Sequence, residues 1–225
     1  MARPTLEMVL QGIEEGKEED GFRELALLTS RGRIEAHYYP SQTPQKQLGA
    51  LWLGGAGGGW DTPARNLYPR LCSQLATEGV ASLRVRYRLP NDLDECTLDA
   101  LAGLDLLQGT GVNAAALVGH SFGGAVAIRA AAASSLARTV ITLATQSYGT
   151  APAASLGPRC SILLIHGTAD RTLPPYGSDY VYRTAHDPKR LVLLPEAGHG
   201  LDEAAAEVER LVHGWILEQL TASDG

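Results

Sequence analysis

Cysteine is scarce: Cys72, Cys96 and Cys160 are three in 225 residues, without tight spacing. That excludes a disulfide framework and a zinc ribbon, and leaves buried free thiols as the expectation. Positive charge is also short, with 19 Lys and Arg against 25 Asp and Glu, a formal charge of −6 and a pI near 5.5. Nothing supplies the basic field that nucleic acid or an anionic membrane surface requires, so small, uncharged partners are expected. No apolar run approaches the roughly 18 residues of a membrane span, and the mean hydropathy is −0.07. After Arg3 the apolar residues are interrupted by Glu7, Gln11, Glu14 and Glu15, which denies the N-terminus a secretory core and favours a cytoplasmic location. Repeats and low-complexity linkers are lacking too, apart from an alanine-rich helix around residues 130–133. Residues 1–225 therefore read as one domain.

What is present is an ordered alternation. Leu6, Val9, Leu10 and Ile13 share helical spacing and predict a short peripheral helix within an appendage of residues 1–20. FRELALLTS and RGRIEAHYY then read as an antiparallel hairpin at a sheet edge, turning at Ser30, Arg31 and Gly32. From Leu48 onward, short apolar runs alternate with helical periods: LGALWLGG, residues 67–77, VASLRVRY, residues 93–107, AAALVGH, a helix over residues 123–135, RTVITLA, CSILLIHG, a helix over residues 176–184 and RLVLLP. A last helix carries Leu201, Val208, Leu211, Val212, Trp215 and Ile216 on one face. This pattern predicts an α/β fold, a doubly wound and mostly parallel sheet with an antiparallel N-terminal hairpin.

Gly119-His120-Ser121-Phe122-Gly123 fits G-x-S-x-G and falls between an apolar strand and a helix. Chance alone gives about one such match in seven chains of this composition, so the flanking strand and helix carry the argument. The bland alternative is a glycine-rich turn with Ser121 as a helix cap. A serine at its free pKa is a poor nucleophile and needs a base and an orienting acid. Asp170, in His166-Gly167-Thr168-Ala169-Asp170, and His199, in Ala197-Gly198-His199-Gly200, each follow a strand of the parallel part, at the edge where open α/β sheets build their sites. His37, His186 and His213 have hairpin, helix-end and terminal-helix explanations, whereas His120 and His166 sit beside the candidate site. A solvated loop histidine and a turn aspartate are the plain alternatives for His199 and Asp170.

Leu53-Gly54-Gly55-Ala56-Gly57-Gly58-Gly59-Trp60 follows the first parallel strand and can set the N–H of Ala56 beside that of Phe122 as a pair of oxyanion donors. It fails as a phosphate loop, because no Lys-Ser/Thr follows and the G-x-G-x-x-G spacing is missed at Trp60. Trp60, His120 and Tyr148 are candidates for the wall of a substrate pocket, with ordinary packing as the alternative for the two aromatics.

GHSFGG, HGTAD followed by Leu173-Pro174-Pro175, and AGHG occur in that order, and with them the stretch from Leu48 to Leu217 resembles the α/β-hydrolase family, in particular its small lidless dienelactone hydrolase-like, carboxylesterase and acyl-thioesterase members. The resemblance implies a Ser121, His199, Asp170 triad, hydrolysis of a small ester or thioester through an acyl-enzyme, and no metal or organic cofactor. Two departures stand out. Gly54 replaces the histidine of a His-Gly oxyanion motif, and Ser121 stands where dienelactone hydrolases proper have cysteine. Residues 145–158, with Gly149, Pro152, Gly157 and Pro158, are too few for a lid. Peptidase or acyltransferase chemistry on the same triad, and a non-catalytic binding module, are the rival readings.

Overall fold

The computed structural model describes residues 7–19, 21–43 and 47–222. Its strands are β1 (Leu10–Glu19), β2 (Phe22–Thr29), β3 (Gly32–Tyr39), β4 (Leu48–Leu53), β5 (Val80–Arg86), β6 (Ala114–His120), β7 (Ala137–Leu143), β8 (Ser161–Gly167) and β9 (Lys189–Leu194). The helices are α1 (Pro63–Thr77), α2 (Leu93–Gly109), α3 (Phe122–Ala133), α4 (Tyr176–Thr184) and α5 (Ala205–Thr221). All strands join one sheet in the order β1-β2-β3-β5-β4-β6-β7-β8-β9. The first three pair antiparallel, as does β3 with β5, and every pair from β5 to β9 is parallel.

The alternation of side chains across the pleat divides the core in two. Leu51, Leu53 and Leu117 face α2 and α3, while Ala50, Trp52, Ala116 and Val118 face α1 and α5. Because helices cover both faces, β4 and β8 are buried at every position and read as continuous apolar runs. Among the described residues no helix is long and apolar enough to cross a membrane.

Two expectations are corrected. Residues 10–19 form a strand on the outside of the hairpin, not a helix; residues 1–6 lie outside the described residues. Met8, Leu10 and Gly12 turn inward with a period of two, whereas Val9 and Ile13, the residues that suggested a helical face, are 60% and 47% exposed. The pairing Ile13↔Leu27 supplies the long-range partner that local spacing cannot reveal. The sheet edge is thus β1, and the β2–β3 hairpin lies one strand inside it. In the terminal region, α5 starts at Ala205, and Leu201 precedes it in a left-handed turn (φ 59°) although it is buried in the same core.

Between β7 and β8 the chain forms only one short 3-10 turn, Ala151–Ser155. No helical cap is inserted there. The strand order reverses direction about β4: β5 lies on one side and β6 on the other, so the loops after β4 and β6 leave the sheet side by side, with Leu53 paired to Gly119. This is the switch point at which doubly wound sheets open a crevice.

Candidate active site

Ser121 sits between β6 and α3 with φ 55° and ψ −118°, a conformation costly for a residue with a Cβ and tolerated only where its surroundings enforce it. The enforcement comes from close backbone approach. A Cβ on Gly119 would overlap the carbonyl of Gly123, and one on Gly123 would overlap the carbonyl of Gly54. The two glycines of the motif therefore let the turn close and let α3 abut the end of β4. The Ser121 N–H donates to the Leu143 carbonyl at 2.8 Å, which ties the turn to β7.

The Ser121 hydroxyl donates to His199 Nε2 at 3.1 Å, and His199 Nδ1–H donates to Asp170 Oδ2 at 2.7 Å. The serine thus faces an imidazole whose tautomer is set by the carboxylate behind it. Asp170 is only 6% exposed. Burial pushes its carboxyl upward, but hydrogen bonds from His199 and from the backbone N–H groups of Leu173 and Thr172, together with the nearby imidazole charge, hold it below the usual carboxylate range. The Thr172 and Leu173 amides reach Oδ1 at 2.8 and 2.9 Å.

The His199 loop is secured on three sides. His120 Nε2–H donates to the His199 carbonyl at 3.0 Å, Gly198 N–H donates to Glu203 at 3.0 Å, and the Gly200 carbonyl accepts from Ala64 N–H at 2.7 Å. Burial lowers the His120 pKa to about 4, with the His199 carbonyl opposing and the His199 charge assisting, so His120 is neutral at physiological pH.

The loop after β4 passes over the serine: a Cβ on Gly55 would stand 3.9 Å from Ser121 Cβ. Tyr68 Oη donates to the Leu53 carbonyl at 3.1 Å and Tyr87 Oη to the Gly54 carbonyl at 3.2 Å, two anchors that the sequence reading missed. Burial keeps both phenols protonated by raising their pKa. Gly55, Ala56, Ser121, Thr172, His199 and Asp202 share the wall of an open cleft of about 390 Å³. The Phe122 amide opens α3 and so has no intrahelical acceptor.

The structure thus brings together Ser121, His199, Asp170, His120 and the Ala56 loop. It does not bring in the two aromatics. Trp60 stands outside the cleft lining against the β2–β3 hairpin, and Tyr148 is 77% exposed beyond it. Both follow strands, as expected, but neither ring is part of the cleft lining. Thr62, Pro63 and Asp202, unflagged in the sequence, line the cleft instead.

No family model matches the chain. A 46-residue segment, 20% of this chain, is 46% identical to the uncharacterized protein YfhR of Escherichia coli K12, of which it covers 16%. Solved structures match over most of the chain. The esterase domain of a Rhodothermus marinus protein gives a TM-score of 0.71 at 20% identity, covering 88% of this chain and 99% of that one. Dienelactone hydrolase from Anabaena variabilis gives 0.72 at 19% identity, covering 89% and 99%. XC6422 from Xanthomonas campestris, an α/β serine hydrolase without a lid, gives 0.72 at 18% identity, covering 92% and 98%. The nine-stranded sheet, its switch point and these likenesses identify the fold of this chain as the lidless α/β-hydrolase fold, with small α/β hydrolases as its structural neighbours.

Proposed function

We propose that this protein is a serine hydrolase that cleaves a small carboxylic ester or thioester through an acyl-enzyme. The observation that carries the reading is the continuous chain of hydrogen bonds from Ser121 through His199 to Asp170 at the floor of an open cleft. Ser121 Oγ attacks the carbonyl while His199 Nε2 takes its proton; Asp170 keeps the imidazole proton on Nδ1 and stabilises the imidazolium. The Phe122 N–H, at the positive end of α3, and the Ala56 N–H supply the donors for the developing oxyanion. His199 then returns the proton to the departing alcohol or thiol, and water enters along the same path to release the acid. The reading invokes no cofactor.

The test is active-site labelling. A fluorophosphonate probe is expected to modify the protein once, at Ser121, with Ser121→Ala refractory and p-nitrophenyl acetate turned over only by the unmodified protein. Labelling elsewhere, or a Ser121→Ala protein as active as the parent, would overturn the assignment. Transfer of the acyl group to an added alcohol in preference to water would redirect it to acyltransferase chemistry.

A further inference from the structure

Asp170 has a second imidazole behind it. His166, at the end of β8, is fully buried, and its Nε2 lies 3.2 Å from Asp170 Oδ2 and 2.9 Å from the Leu173 carbonyl. Two oxygen acceptors on one ring nitrogen require that this nitrogen carry the proton. The other nitrogen, Nδ1, is 2.7 Å from the hydroxyl of Ser178, which is fully buried in the first turn of α4. In the tautomer with its proton on Nε2, the ring accepts the Ser178 hydroxyl at Nδ1. Asp170 is thereby held by four donors: His199 and His166 on Oδ2, and the Thr172 and Leu173 amides on Oδ1.

We propose that His166 and Ser178 are positioning residues for the reaction, which lock the rotation of Asp170 and restrain the basicity of His199. The proposal rests on the hydrolase reading above. Oδ2 divides its charge between two N–H groups, so the bond to His199 is weaker than an undivided carboxylate would make it, and the imidazolium is less favoured. Ser178 holds the orientation of that ring: without its hydroxyl the Nδ1 lone pair of His166 loses its donor, and the Nε2–H loses its fixed aim at the carboxylate. The backbone of the His199 loop has other neighbours, namely His120 on the His199 carbonyl and Glu203 on the Gly198 amide, and neither touches Asp170 or His166 by hydrogen bond.

The proposal is tested by imidazole ¹⁵N NMR of the intact protein and by pH profiles of His166→Asn, His166→Gln and Ser178→Ala on p-nitrophenyl acetate. The parent should show His166 protonated on Nε2 with Nδ1 as acceptor, and Ser178→Ala should disturb that pattern. His166→Asn, which abandons the Nε2 position, should lower kcat by about 10- to 100-fold with KM little changed. Its acid limb should move upward by about half a pH unit as Oδ2 turns wholly to His199. His166→Gln, whose amide nitrogen reaches the Nε2 position, should recover most of the loss. A parent that fails to turn over ester defeats the hydrolase reading before any variant is made. A parent that does turn over, with His166 protonated on Nδ1, or with Ser178→Ala unchanged in kcat and pH limb, overturns the proposal alone, and both readouts stand even if the His166 variants do not fold.

Discussion

Trp60 lies flat on His37, with ring centroids 3.8 Å apart and planes 13° from parallel, and His37 in turn stacks on Phe22 at 4.2 Å. The loop that crosses Ser121 is thus pinned at its far end to the antiparallel hairpin, with the Arg84 guanidinium above the indole and donating to the Trp60 carbonyl at 2.7 Å. Trp60→Ala should lower the stability to urea by on the order of 2 kcal/mol through lost aromatic packing, and leave the preferred acyl length unchanged. A shifted acyl optimum in that variant would return the indole to the pocket wall.

The rate should depend on one proton on the acid side. In the proposed mechanism His199 must be neutral to accept the Ser121 proton, so kcat/KM should fall as the solution becomes acidic, with a limiting slope of one. His120 packs its ring 4.8 Å from that of His199, but burial keeps its pKa at about 4, and it stays neutral through that limb. Rates on a substrate limited by chemistry, measured from pH 4.5 to 8.5, would expose a slope of two if His120 took part.

Stability should have its own pH dependence. His37 and His120 are both lowered from 6.5 to about 4, first by burial, with the Arg84 charge assisting for His37. Between those values the unfolded chain binds protons that the folded chain refuses, so the folded state loses stability as pH falls from about 6.5 toward 4. His120 alone accounts for on the order of 3 kcal/mol across the window. Thermal unfolding should therefore show Tm falling in this range, and a flat Tm would contradict the burial assigned to these rings.

Substrate length follows from the open cleft and from the single 3-10 turn between β7 and β8. Each methylene contributes about 0.8 kcal/mol only while a wall covers it. On p-nitrophenyl esters, kcat/KM should peak at acyl chains of about two to six carbons and decline beyond. A steady rise to about twelve carbons, or activation at a lipid interface, would demand a cover that this fold does not build.

The sequence was most informative where the signal is local. G-x-S-x-G between a strand and a helix announces a strained turn because the two glycines and the flanking elements are contiguous, and Asp170 and His199 stand out because each lies within a few residues of the end of an apolar strand. Pairing across the sheet was not visible. β1 carries a helical signature because Leu6, Val9, Leu10 and Ile13 have a plausible period, while the strand that overrides it begins only at Phe22. Trp60 and Tyr148 show the limit of another signal: following a strand brings a residue to the correct edge, but the loop's turns decide where its ring points. Ser178, Tyr68 and Tyr87 reach His166 and the loop after β4 from separate elements through single hydrogen bonds, which no spacing encodes, and the partners of His166 are equally hidden although its place at a strand end is not.

Because β4 is flanked by β5 and β6, the loop after β4 and the Ser121 turn come from the middle of the sheet, while His199 follows β9 at its edge. A chain that has formed the sheet as far as β7 has its serine turn in place and still lacks the base of the proposed mechanism. Recovery of ester turnover after dilution from denaturant should therefore lag behind the return of far-ultraviolet dichroism, and would time the docking of the last loop rather than the collapse of the core.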